Sequence, residues 1–168
     1  MSAPDDFTEF VAARYQALLR TARLLSRSEH EAEDLLQEAL ARCVPVWRRI
    51  SADPEGYVRT VLVRQNISRW RRTRRLSVHP TEVPPERPVV DADVAEQQHL
   101  REALAQLAPR QRAVVVLRYV EDRPEREVAT LLGCSVGTVK SQAHDGLARL
   151  RRILGEDAGL ENRAAAPL

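Results

Sequence analysis

Apolar residues recur every three or four positions through most of this chain, and no stretch alternates with period two, so the pattern predicts helices and no sheet. Phe7, Phe10, Val11, Leu18, Leu19, Ala22 and Leu25 predict one amphipathic helix over about residues 5–26. Ser28 and Glu31 form a capping-box signature that opens a second helix. Its apolar face is Ala32, Leu35, Leu36, Ala39, Leu40 and Cys43, continuing past Pro45, which kinks or ends it, to Trp47. Asp53 followed by Pro54 reads as a cap and a first-turn proline. The third helix then carries Tyr57, Val58, Val61, Leu62 and Trp70.

Between Leu76 and Ala95 the periodicity fails. Prolines stand at 80, 84, 85 and 88, and Glu82, Glu86, Asp91 and Asp93 make the stretch acidic, as expected of an extended linker. Helical spacing then resumes with Leu100, Leu104 and Leu107. Pro109 opens a helix through Val114, Val115, Leu117 and Val120, and Pro124 opens another. The last helix is expected from about Val136 to Leu154, with Leu147, Leu150 and Leu154 inward and Gly155 ending it. The predicted architecture is all-α: two small helical domains, 1–75 and 96–155, joined by a Pro-rich linker at 76–95 and followed by a flexible tail at 156–168.

Glu127 to Lys140, E-V-A-T-L-L-G-C-S-V-G-T-V-K, has the spacing of a helix-turn-helix. Ala129 is small where two helices cross, Gly133 suits the left-handed turn four residues on, and Val139 closes the miniature core with Val128, Leu132 and Val136. Ser135 can cap the second helix through its hydroxyl. Such a unit either packs as a plain hairpin or offers its second helix to the major groove of DNA.

Charge sharpens the picture. The net charge of +2 hides a run from Gly56 to Thr81 without Asp or Glu, in which Arg59, Arg64, Arg69, Arg71, Arg72, Arg74 and Arg75 all fall. On a helix Arg64, Arg71 and Arg75 share one broad side with Arg72 adjacent, while Val58, Val61, Leu62 and Gln65 face a core. Trp70 among these charges suits the stacking of an unpaired base, or the plain burial of a helix end. A third signal is A-E-D-L-L-Q-E-A-L at 32–40, where Glu33, Asp34, Gln37 and Glu38 line a polar side beside Leu36 and Leu40. It suits a basic partner surface, or simply solvent.

Cys43 and Cys134 stand far apart without metal-ligand spacing and are expected as reduced core thiols. The four histidines show no HExxH pattern and no G-x-S-x-G occurs, which argues against an enzyme, and no metal or cofactor is expected. The N-terminus lacks a signal-peptide pattern and no run reaches the ~18 apolar residues of a membrane span, so a cytoplasmic protein with no membrane partner is expected.

In their order along the chain, A-E-D-L-L-Q-E, the Arg and Trp helix, the Pro-rich linker, L-A-P-R-Q-R-A-V-V-V-L-R-Y and E-V-A-T-L-L-G-C-S-V-G-T-V-K-S-Q resemble the extracytoplasmic-function sigma factors, the smallest RNA polymerase specificity subunits of bacteria. The resemblance covers nearly the whole chain. It implies that the front domain binds the polymerase clamp through Asp34, Leu36, Gln37, Glu38, Leu40 and Trp47. The third helix, with Arg59, Arg64, Asn66, Arg69, Trp70, Arg71, Arg72, Arg74 and Arg75, would open and read the minus-ten promoter element. The rear domain would bind the polymerase flap and read the minus-thirty-five element through Arg126, Ser135, Val136, Gly137, Thr138, Lys140, Ser141 and His144. Strand opening would need contacts and no catalytic group. No small-molecule substrate is implied, and the resemblance admits an anti-sigma protein held between the two domains.

Some positions depart from the family pattern. Gln142 stands where many relatives carry Arg, and H-D-G at 144–146 replaces a commonly basic segment. Asp145 would repel a phosphate, and Gly146 costs a helix interior roughly 1 kcal/mol relative to Ala. In the third helix Asn66 is followed one turn later by Trp70 instead of Asp, as in an actinobacterial subgroup. Two rival readings remain at this level: a stand-alone helix-turn-helix regulator, and a sigma-like protein that binds polymerase without directing initiation.

Overall fold

The computed structural model describes the backbone of residues 4–50, 52–76 and 92–164, and side chains over the same ranges except 92–93 and 156–164. The described residues contain helices and no strand. They form two compact units, one within residues 1–90 and the other within 91–168.

The first unit holds α1 (Asp5–Leu25), α2 (Glu29–Cys43), a 3-10 segment (Val44–Arg49) and α3 (Pro54–Arg75). The expected starts are present: the Ser28 hydroxyl accepts from the Glu31 amide at 3.1 Å, and Asp53 Oδ1 from the Gly56 amide at 2.9 Å. Glu31 returns to the amide of Arg27, one residue before the cap, at 2.7 Å. Each helix packs against the other two. Leu18 and Leu25, Leu35 and Leu36, and Val58 and Leu62 are fully buried where these helices meet. Trp47 closes one end, with ring centroids 4.9 Å from Phe7 and 4.8 Å from Phe10. Tyr57, expected among the apolar positions of α3, is exposed instead.

The second unit holds α4 (Ala92–Ala105), α5 (Pro109–Val115) with a π-helical turn (Val116–Val120), α6 (Glu125–Leu132) and α7 (Val136–Ala164). Helix α7 packs against α4, α5 and α6. Its inward stripe is Val139, Ala143, Gly146, Leu150 and Ile153, at alternating steps of four and three. Leu147 and Leu154, expected inside with Leu150, are only half-buried because they flank that stripe.

Several expected boundaries move. Residues 77–91, most of the expected linker, lie outside the described residues, and α4 starts at Ala92, before the expected domain start at 96. Its first turns lack apolar periodicity, with Val94 and Leu100 exposed, so the pattern could not reveal them. Helix α7 does not end at Gly155 but runs to Ala164, since a glycine costs a helix about 1 kcal/mol without forbidding it. The expected flexible tail at 156–168 is therefore helical as far as Ala164, and 165–168 lie outside the described residues.

The join between α4 and α5 shows a device that periodicity does not reveal. Arg112 is 3% exposed, and its guanidinium donates to the carbonyls of Leu104 (Nε, 2.9 Å), Ala105 (Nη2, 3.0 Å) and Leu107 (Nη2, 3.4 Å). The end of α4 has no glycine cap, and this arginine satisfies its carbonyls from the next helix.

Candidate nucleic-acid interface

In the second unit, α6 and α7 form the expected helix-turn-helix. Gly133 has φ 62° and ψ 43°, the left-handed region. The Cys134 amide donates to Ala129 O at 3.0 Å and the Gly133 amide to Thr130 O at 3.3 Å, the paired bonds of a Schellman ending. Ser135 then caps α7, its Oγ accepting from the Thr138 amide at 3.1 Å and lying 2.9 Å from the Thr138 hydroxyl. Val128, Ala129, Leu132 and Val139 are buried beneath the turn.

Above that core, Arg126, Ser135, Gly137, Lys140, Ser141 and His144 are exposed, while Thr138 and Val136 are half-buried. Lys140 Nζ lies 3.9 Å from Glu125 Oε2 with its side chain 64% exposed, so the cation stays accessible to a stronger anion. Gln142 is half-buried and Asp145 exposed. Gly146 is buried, and a β-carbon there would stand 3.0 Å from Val115 Cγ2 and 3.5 Å from Gln111 Cβ. Its presence has a packing reason: the backbone of α7 passes close to α5.

In the first unit, α3 divides its seven arginines. Arg59 pairs with Glu55 at 2.6 Å, and Arg69 donates to Glu38 Oε2 from Nε at 3.0 Å and Nη2 at 2.7 Å. Arg64, Arg71, Arg72, Arg74 and Arg75 are exposed. The Arg74 guanidinium lies 5.3 Å from the ring centroid of half-buried Trp70, a cation–π contact. Asn66 is 8% exposed, between buried Gln65 and Ile67.

On α2, Asp34 and Gln37 are exposed, Asp34 with His30 Nε2 at 3.3 Å. Glu38 is tied to Arg69, and its Oε1 accepts from Arg42 at 3.3 Å. The Arg69 hydrogen bonds hold the Glu38 carboxyl below its ordinary value; burial opposes them, and the charge of Arg69 and then the bond and charge of Arg42 add to the lowering. Leu36, Leu40 and Trp47 are buried, at 0%, 6% and 5% exposure. Leu36 and Leu40, one turn apart, share the inward face of α2, and Trp47 lies under Phe7 and Phe10.

The bridge between Glu38 and Arg69, 31 residues apart, is what local pattern could not supply. Each residue suits its own polar helix face, and only packing brings them together. Among the described residues no helix is long and apolar enough to cross a membrane.

Comparison with known proteins agrees with this division. Residues 10–76 match the family model for sigma-70 region 2, and residues 97–150 match that for sigma-70 region 4. The chain is 44% identical over 153 residues to the RNA polymerase sigma-E factor of Streptomyces coelicolor, covering 89% of this chain and 86% of that one. It is 34% identical over 155 residues to the ECF RNA polymerase sigma factor SigM of Mycobacterium tuberculosis, covering 89% and 77%. Its fold resembles that of the sigma factor RpoE from Bartonella quintana, solved in complex with the anti-sigma factor NepR, with a TM-score of 0.67 at 23% identity over 90% of this chain and 98% of that chain. With two helical units, a glycine-turned helix-turn-helix in the second and relatives matched along most of its length, the chain belongs to the extracytoplasmic-function branch of the RNA polymerase sigma factors.

Proposed function

We propose that the chain joins core RNA polymerase in the cytoplasm through α2, opens and reads the minus-ten element with α3, and reads the minus-thirty-five element with the front of α7. The carrying observation is the sorting of charge on α3. Arg71, Arg72, Arg74 and Arg75 are exposed beyond the packed part of the helix, whereas Arg59 and Arg69 are paired with carboxylates. Clustered, accessible arginines beside Trp70 suit phosphates flanking an unstacked base. Unstacking costs a few kcal/mol per base, which stacking and phosphate contacts can offset without a catalytic group. The protein therefore acts by binding and not as an enzyme.

Support for the upstream contact is the capped start of α7. The amides beside Ser135 suit a phosphate, and Thr138, Lys140, Ser141 and His144 sit within the first turns that a groove would admit. Arg126 adds a cation from α6. On α2, Asp34 and Gln37 are the accessible polar groups for polymerase, and the family role given to Leu36, Leu40 and Trp47 becomes support of that helix from beneath.

The assignment is tested by measuring holoenzyme–promoter affinity against salt. Each phosphate contact contributes a slope of about −0.9 in log K against log salt. Arg71→Gln and Arg72→Gln should each reduce the slope by about one, across promoters alike. Lys140→Ala and Thr138→Ala should instead act on upstream-element contacts and leave strand opening at a bound promoter intact. Unchanged slopes with both arginine variants would remove α3 from the DNA.

A further inference from the structure

We propose that Glu38 is a positioning residue for the DNA-facing end of α3, acting through Arg69, and that Arg69 is itself part of the framework instead of a phosphate ligand. The inference rests on the assignment of α3 to DNA made above. Val58, Leu62, Gln65 and Arg69 follow one another at steps of four, three and four, so they form a single stripe on α3. Val58 and Leu62 are fully buried and Gln65 is 7% exposed. Arg69 continues the inward stripe, and its side chain is 27% exposed. Arg71 and Arg75 lie on the opposite side of the helix and Arg72 follows the stripe's phase one step beyond Arg69, and all three are exposed.

Opposite this stripe, α2 presents Glu38 and Arg42 one turn apart. Glu38 Oε2 accepts both Arg69 bonds and Oε1 accepts from Arg42, and the Gln65 amide, assigned with its oxygen toward Arg42, accepts from the same guanidinium. Gln65, Arg42, Glu38 and Arg69 thus make a polar layer, linked in that order, at the end of the apolar contact between α2 and α3. A partly exposed ion pair of this kind contributes little net stability but fixes geometry, since rotation or sliding of α3 would break both Arg69 bonds to Glu38. Arg69 is the last position of the inward stripe before four exposed arginines and Leu76, which is 74% exposed. The layer therefore decides where that end of α3 points, and it consumes the charge of Arg69 in doing so.

Glu38→Gln, Arg69→Gln and the double variant of the full chain, each assembled with core polymerase, test this on a promoter selected by the wild-type protein. Strand opening is read by permanganate reactivity of minus-ten thymines per bound holoenzyme. Each single variant should lower opening roughly tenfold, and the double variant should be no worse than either, because both break one coupling. The exchanged pair, Glu38→Arg with Arg69→Glu, should recover a substantial part of the loss, which shows that the chain still folds. Arg69→Gln should leave the salt slope at the wild-type value while Arg71→Gln lowers it by about one.

Additive losses in the double variant, no recovery by the exchanged pair, or an Arg69→Gln slope as low as that of Arg71→Gln would overturn the proposal. So would a Glu38→Gln defect confined to core affinity with opening per bound complex intact. If Arg71→Gln also left the slope unchanged, the DNA assignment of α3 would fail. The coupling between Glu38 and Arg69 would still be read from the double variant and the exchange.

Discussion

Gly146 lies where a β-carbon would stand 3.0 Å from Val115 Cγ2, so the absence of a side chain lets α7 pass close to α5 in the second unit. A solvent-facing helical glycine gains up to about 1 kcal/mol on replacement by alanine. At residue 146 that gain should be cancelled by crowding against Val115 and Gln111, and Gly146→Leu should destabilise by about 2–3 kcal/mol. Gly155, with nothing within 4 Å of its built β-carbon, should show the gain in full. Urea denaturation of the three variants checks the contrast, and a Gly146→Ala stabilisation equal to that of Gly155→Ala would refute the close approach.

These two glycines also mark what can be read from the chain alone. The turn at Gly133, the caps at Ser28, Asp53 and Ser135, and the breaks at Pro45 and Pro109 were legible because each is a local device with its own residue type. So was the basic face of α3, since clustering needs only helical phase. Gly146 reads locally as a helix weakness, with no sign of its packing reason, and Gly155 reads as a helix end although α7 continues past it to Ala164. A glycine's role depends on what lies across from it, and Val115 is 31 residues away. The burial of Leu36, Leu40 and Trp47 was likewise not legible, because one apolar stripe supports either a core or a docking face until the neighbouring helices are in place.

Arg112 should prove a structural residue of the second unit. Arg112→Met keeps most of the volume but leaves the carbonyls of Leu104, Ala105 and Leu107 without those donors, a loss of about 2–4 kcal/mol. Arg112→Lys should rescue little, because one ammonium does not reproduce the planar fork. Chemical denaturation gives both numbers, and a loss below about 0.5 kcal/mol for Arg112→Met would show that these bonds are replaceable.

The two thiols should differ in reactivity. Cys43 is fully buried, and burial pushes its pKa up to about 11, whereas Cys134 is half-buried in the helix-turn-helix turn. Thiolate is the reactive form. Thiol titration of the native protein at neutral pH should label Cys134 readily and Cys43 only after denaturation. Equal native rates would contradict the packing of α2.

Stability should also carry an acid-side signature of Glu38. Its carboxyl is held below the ordinary value, chiefly by Arg69, so the pair stabilises the fold above the unfolded-state pKa of about 4.5. That contribution is lost as pH falls through the lower folded-state value. The stability difference between wild type and Glu38→Gln should therefore be constant near neutrality and shrink below the ordinary carboxylate range. A difference that grew on acidification would reverse the sign of the interaction.

The most direct test of the central claim is promoter-specific initiation. The chain, incubated with bacterial core RNA polymerase and fragmented genomic DNA, should yield run-off transcripts from discrete start sites sharing two spaced upstream motifs. Arg71→Ala combined with Arg72→Ala should abolish them. Stable association with polymerase but no discrete start sites, or no association at all, would contradict the account.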